Sequence, residues 1–131
     1  MADLVVTVPR DRWSAWVREG DAAGDPSTGK EWGWFCRVDS PVPPIVTGER
    51  LYVCSWGRLR GYAPVTRVLR RRDVWVICRR AGAVAVTIPE RIHSFRGWRE
   101  RWWDREVERA FPDWRIKGTP DANLTLPGFE R

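Results

Sequence analysis

The sequence predicts an α+β fold: a small mixed β-barrel of five to six strands with a short N-terminal helix and a C-terminal helix. Two observations support it. Short β-branched or apolar runs separated by tight turns recur through residues 4–88, whereas helical periodicity is confined to residues 11–19 and 97–110. The length of 131 residues suits one domain. We therefore divide the single domain 1–131 into the barrel and a helix and tail, rich in Trp and Arg, over 89–131.

The first strand and the first helix are marked by their side-chain patterns. Residues 4–8 are a β-branched run closed by a proline, which predicts a central strand. A spacing of i, i+3, i+4 then places Trp13, Trp16 and Val17 on one face of a helix over about 11–19. This face is expected to pack in the core.

The remaining barrel strands follow a long predicted loop. Residues 20–30 have no apolar periodicity. Alternation after this loop places Trp32 and Trp34 on one face of a strand and Phe35 on the other. Residues 57–61, bracketed by glycines, predict a connection. Further strands are expected over residues 50–56, 62–69, 74–79 and 83–88.

The C-terminal helix is predicted from apolar side chains at helical spacing, beginning at Trp103. Trp98 and Trp102 lie mostly off the stripe that Trp103 starts. The pattern leaves two interpretations open for them. They either pack on the outside of the barrel or contact a protein partner, since Trp and Arg are enriched in interface hot spots.

Charge is the strongest functional signal in the chain. There are 23 basic and 17 acidic residues, a net charge of +6, and all but two of the basic residues are arginine. Residues 58–80 carry one acid, Asp73, against eight arginines: Arg58, Arg60, Arg67, Arg70, Arg71, Arg72, Arg79 and Arg80. Such a field attracts anions, and guanidinium groups form paired hydrogen bonds with phosphate oxygens. The alternative is a solvated turn with no ligand.

We therefore predict nucleic acid as the partner. The phosphates would be held by Arg58, Arg60, Arg70, Arg71 and Arg72. Bases would be contacted by rings at strand ends: Trp32, Trp34, Trp56 and Tyr62. The loop over residues 20–31 would act as a flap over this cleft. The alternative is that each of these rings packs in the core.

Cysteine and histidine exclude several chemistries. Cys36, Cys54 and Cys78 are odd in number and widely spaced, and His93 is the single histidine. We therefore predict no metal site, no cofactor and no disulfide framework. No apolar stretch reaches the length of a membrane span and no leader pattern is visible, so the expected location is cytoplasmic, away from membranes.

Two segments resemble the central hairpin of PUA-like domains, most closely the ASCH group, with the EVE group beside it. They are GERLYV over 48–53 and GYAPVTRV over 61–68. The opening strand and the helix that carries Trp13 and Trp16 agree with the start of ASCH domains. The resemblance covers about residues 4–88. It implies a pseudo-barrel with a cleft for RNA, in preference to DNA, or for a modified or flipped base.

The same resemblance implies an enzymatic alternative, because some ASCH domains are ribonucleases. A Lys, Glu and Arg segment lines the cleft in that group, directly after the helix. Here an insertion intervenes, and the candidates for acid–base chemistry are Lys30, Glu31 and Tyr62. Whether the chain is an enzyme is left open at this stage.

Overall fold

The computed structural model describes residues 2–19, 31–37, 41–80 and 84–119. The predicted loop 20–30, with Lys30, and the tail beyond 119 lie outside these residues. The elements in chain order are β1 (Leu4–Thr7), α1 (Arg10–Glu19), β2 (Glu31–Arg37), β3 (Arg50–Ser55), β4 (Arg58–Arg71), β5 (Val74–Arg80), β6 (Val86–Thr87), β7 (Arg99–Glu100), a 3-10 turn (Arg105–Val107) and β8 (Arg109–Ala110). The α+β class is confirmed.

Six of the strands form one sheet in the order β2-β5-β4-β3-β1-β7, and β6 pairs with β8 in a two-stranded sheet. Strands β1 and β3 are parallel, and the other pairs are antiparallel. In the described part of the chain the large sheet begins at β2 and ends at β7, with no pairing between these two strands. The sheet is therefore not a closed barrel, and the predicted mixed β-barrel is not confirmed.

Strand β4 is shared between two parts of this sheet. Its residues up to Pro64 pair with β3, and its residues from Val65 pair with β5. The register shifts between Val65 and Arg67, which marks a bulge where the strand bends. Proline has no N–H for a ladder, so it suits this changeover.

The connection between β3 and β4 is shorter than the sequence predicts. Only Trp56 and Gly57 separate the two strands, and their φ angles are 53° and 72°. Positive φ at both central residues is what a tight type I′ hairpin turn requires. Residues 58–61 are therefore strand, which corrects the predicted glycine-bracketed connection over 57–61.

The core lies on both faces of the sheet, and β1 contributes to both. Leu4 and Val6 pack with Trp13 of α1 in one cluster. Val5 packs in a second cluster with Tyr52 and other buried side chains on the opposite face. Because alternate residues of a strand face opposite sides, burial on both sides identifies a central strand. The predictions for the first strand and the first helix are confirmed.

The predicted C-terminal helix is wrong. Residues 99–110 form two short strands and a 3-10 turn, and the strands pair with β1 and β6. Trp103 packs in the second core cluster, whereas Phe111 packs in the first, on the other side. One helical stripe cannot serve both faces. The apolar side chains of this segment therefore pack against distant parts of the chain, and these tertiary contacts override the local helical pattern.

Asp3 fastens this C-terminal segment to β1. Its buried carboxylate accepts the backbone N–H of Arg50 at 2.9 Å and the guanidinium groups of Arg101 at 3.1 Å and Arg105 at 2.7 Å. Burial on its own raises the pKa of Asp3. These hydrogen bonds and charges outweigh burial, and the pKa lies below the ordinary 3.8.

Replacing Asp3 with asparagine is expected to lower the free energy of unfolding by about 1–2 kcal/mol at neutral pH, because both arginines lose their charged partner. Because the pKa of Asp3 is lowered on folding, its ionised carboxylate stabilises the folded protein. This stabilisation is present above the pKa of the unfolded chain, and it is lost as the pH falls through the pKa of the folded protein. The difference between variant and parent should therefore shrink below pH 3.8, the ordinary value for this carboxyl. Urea unfolding at several pH values measures it.

The control is Asp113→Asn, because Asp113 is exposed. Its effect on the free energy of unfolding should be small. A deficit in Asp3→Asn that stays constant down to the acid limit would contradict the ion pairs.

Candidate nucleic-acid interface

Strands β2, β5 and β4 have one face that packs on the core. We call the opposite face the outer face. The register places Gly33 and Phe35 of β2 in line with Cys78 and Val76 of β5 and then with Arg67 and Leu69 of β4. A shallow pocket of about 180 Å³ on this outer face also includes Glu31 and Arg71. The Phe35 side chain is 63% exposed.

Gly33 gives the Phe35 ring its place on the outer face. A Cβ atom at Gly33 would lie 2.6 Å from Cγ1 of Val76 and 3.1 Å from Cε1 of Phe35. Glycine therefore leaves the room that lets the ring approach the β2 main chain. The alternation predicted for this strand is confirmed, since Phe35 is exposed and Cys36 is buried.

The β4–β5 hairpin carries the exposed arginines. Its two-residue turn is Arg72–Asp73, with Arg72 at φ 48°. Arg70, Arg71 and Arg72 all face solvent, so the structure leaves these predicted phosphate ligands accessible. We call the exposed guanidinium side chains of this hairpin the hairpin arginines: Arg67, Arg70, Arg71, Arg72 and Arg80.

Arg58 and Arg60 are placed differently, and the structure argues against a phosphate role for them. They are only 4% and 0% exposed. Nη1 of Arg58 donates to the Pro89 carbonyl at 2.7 Å, and Arg60 donates to carbonyls of the protein itself. Ten strand residues, about 33 Å of extended chain, separate Arg60 from Arg70. Nothing in the local pattern distinguishes the buried pair from the exposed hairpin arginines.

The four predicted base-contacting rings do not share one place. Trp32 and Trp34 are half-buried on the inner side of β2. Trp56 lies at the β3–β4 turn, with the Arg10 guanidinium 4.7 Å from its ring centre. Tyr62 lies in the other part of the sheet, where a guanidinium group covers its ring. The four rings therefore do not line the one common cleft that the sequence predicts.

A cleft of about 530 Å³ runs between the first turn of α1 and β2. We call it the α1–β2 cleft, and it is lined by Val8, Pro9, Arg12, Trp16, Gly33, Trp34 and Phe35. Of the predicted rings it contains only Trp34. Sequence reasoning missed Trp16, which looked like a core residue on the helical stripe, and Phe35, which showed only its place in the alternation. Burial of one ring face and exposure of the other is a tertiary property.

The predicted acid–base group is not assembled in the described residues. Glu31 accepts hydrogen bonds from Arg67, at 2.7 Å and 3.0 Å, and from Thr66. The Arg67 bond, followed by that from Thr66, holds the pKa of Glu31 below its ordinary 4.5. A carboxylate so stabilised is a weak base. Tyr62 lies four residues before Thr66, in the part of β4 that pairs with β3.

The tryptophans near the C-terminus do not form a helix face. Trp98 is half-buried against the first core cluster. Trp102 is 42% exposed, and its indole N–H donates to Glu90 at 3.1 Å. The protein partner expected at these two residues stays a prediction.

No group of three or more His, Cys, Asp or Glu side chains within the described residues is placed to hold a metal ion. Within the same ranges, no helix combines the length and the apolar character needed to cross a bilayer.

We find no match to this chain among protein-family models, among curated proteins or among solved structures. The resemblance to PUA-like domains therefore stays a prediction.

Proposed function

We propose that the protein is a nucleic-acid-binding domain, and that the hairpin arginines are its phosphate-binding surface. One observation carries the proposal: five exposed guanidinium groups lie on a single two-stranded hairpin. In the described part of the chain the hairpin itself carries one carboxylate, Asp73 in the turn, and Glu31 of β2 is paired with Arg67. The surface therefore keeps a net positive charge.

Arginine suits this role for geometric reasons. Its planar fork donates two parallel hydrogen bonds to phosphate oxygens, and its charge is weakly hydrated. Each phosphate that is neutralised releases condensed counterions, so affinity falls steeply as salt rises. A surface of this kind positions a strand without reading its sequence. RNA is proposed ahead of DNA on the strength of the resemblance to PUA-like domains.

Replacing Arg70, Arg71 and Arg72 together with alanine tests the proposal. Removing three phosphate contacts to a single strand is expected to reduce the slope of log affinity against log salt concentration by about 2. Affinity at low salt should fall by roughly 100-fold. Fluorescence anisotropy with a labelled single-stranded RNA, over a series of salt concentrations, measures both quantities.

The matched control replaces Arg18, Arg91 and Arg96, which are exposed elsewhere on the molecule. This triple variant loses the same charge as the hairpin variant. Because its three residues lie away from the hairpin, it should keep most of the affinity and most of the salt slope. Equal losses in the two variants would mean that net charge, not the hairpin, attracts the ligand. Absence of binding to RNA or DNA at low salt would refute the proposed function.

A further inference from the structure

We infer that the α1–β2 cleft accepts one unpaired base of the bound strand, so that the ligand class is single-stranded nucleic acid and not a duplex. This inference rests on the proposed function. It assigns a second, distinct subsite beside the hairpin arginines.

The walls of the cleft suit a flat aromatic ring. Trp16 and Trp34 meet edge to face, with ring centres 6.3 Å apart and planes at 63°. Phe35 also lines the cleft and is 63% exposed. The volume of about 530 Å³ falls within the range of small-molecule sites and has room for a nucleobase. Stacking on such rings is independent of base identity, because every base has a π face.

The main chain of β2 adds hydrogen-bonding groups. In the described part of the chain β2 lies at the end of the sheet, with β5 as its neighbour. The three consecutive residues Gly33, Trp34 and Phe35 line the cleft, so the backbone between them borders it. Alternate residues of an edge strand direct their N–H and C=O groups away from the sheet. An unpaired base presents donors and acceptors on its Watson–Crick edge to match them.

Charge complementarity favours a phosphate-bearing ligand. Arg12 is exposed at the cleft. Gly33 and Phe35 border both the cleft and the outer-face pocket, which contains Arg67 and Arg71. A strand that inserts one base beside Phe35 can therefore continue over β2 onto the hairpin arginines. A base inside a duplex is stacked and paired, so its ring face and its Watson–Crick edge are not available to this site.

The test compares a short labelled single-stranded polyadenylate with a duplex of equal length, using the full chain. Phe35→Ser should weaken single-strand binding about tenfold, since loss of one stacked base has an effect of this order. Binding of the duplex should not change. Phe35 is exposed, so the variant is expected to fold, and urea unfolding checks this. Val42→Ser removes an exposed apolar side chain elsewhere and should leave both affinities unchanged.

A second pair of variants tests the charge at the cleft. Arg12→Ala should weaken single-strand binding more than Arg18→Ala, because Arg18 lies on the same helix outside the lining of the cleft. Free adenosine monophosphate should quench the tryptophan fluorescence of the parent protein, and the quenching should fall in Phe35→Ser.

Three outcomes would overturn the inference. In the first, the hairpin variant loses affinity, but single strand and duplex bind equally and Phe35→Ser changes neither; the proposed function then stands without the cleft. In the second, no nucleic acid binds, and both proposals fail together. In the third, an extended acidic peptide binds in place of the oligonucleotide and Phe35→Ser weakens it, which assigns the cleft to a protein partner.

Discussion

Replacing Arg60 with alanine is expected to lower the free energy of unfolding by about 3–5 kcal/mol, a loss comparable with breaking a buried ion pair. Arg60 is fully buried, and its guanidinium group donates to four carbonyl oxygens. The acceptors are Ser55 at 2.8 Å, Trp114 at 3.2 Å, Ile116 at 2.8 Å and Gly118 at 2.5 Å. Three of them belong to the C-terminal segment, so one side chain holds that segment on the sheet.

The surroundings of Arg60 explain why alanine cannot substitute. The guanidinium carbon lies 5.5 Å from the ring centres of both Trp13 and Phe111. Burial lowers the pKa of Arg60 to about 10, which still leaves the group charged at neutral pH. Alanine would leave a cavity between the rings, and several carbonyl groups would lose their hydrogen-bond donors.

Urea unfolding measures the loss, and limited proteolysis after Phe111 reports release of the C-terminal segment. Arg60→Lys should also destabilise, because one ammonium group cannot reproduce a fork that serves separate acceptors. Arg71→Ala is the matched control on the same strand. Arg71 is exposed, so the change should stay within about 0.5 kcal/mol. An unfolding midpoint of Arg60→Ala equal to that of the parent would contradict this role.

Replacing Glu108 with alanine is expected to destabilise the protein by about 3–4 kcal/mol, because two buried donors and an arginine lose their hydrogen-bond acceptor. The Glu108 side chain is only 7% exposed. Its carboxylate accepts the Tyr52 hydroxyl at 2.5 Å, the Trp103 indole N–H at 2.9 Å and Nη1 of Arg50 at 3.3 Å. The same rings pack together, with Tyr52 and Trp103 centres 5.1 Å apart.

Glu108→Gln provides the contrast, since its carbonyl oxygen can still accept from both ring donors; a loss of about 1–2 kcal/mol is expected. Glu106→Ala, an exposed neighbour, should change little. Urea unfolding ranks the three variants, and equal stability of Glu108→Ala and Glu106→Ala would contradict the network.

The same network predicts an alkaline limit to stability. Burial, and then the neighbouring Glu108, raise the pKa of Tyr52 above the ordinary 10.0. A raised pKa contributes stability that is complete below the unfolded value and is lost as pH rises towards the folded value. The parent should therefore lose stability above pH 10.0, and Tyr52→Phe should lose less over the same range.

The elements predicted correctly are those whose signal is local. The β-branched run of β1, the helical spacing of α1 and the alternation of Trp34, Phe35 and Cys36 each reflect contacts within a few residues. The prediction failed over residues 97–110 because the apolar side chains there divide between two core clusters. Arg101 and Arg105 of this segment both bind Asp3, a residue far away in the sequence.

The candidate site follows the same division. Residues 58–80 were predicted as one basic region, and five of its eight arginines are exposed as the hairpin arginines. The sequence alone determined the basic charge, the class of fold and the strand that carries Phe35. Only the tertiary structure decided that Arg60 faces four carbonyls while Arg70 faces water, and that Trp16 meets Trp34 beside an exposed Phe35. The reason is physical: identical side chains on one strand differ in role when the segments that cover them come from distant parts of the chain.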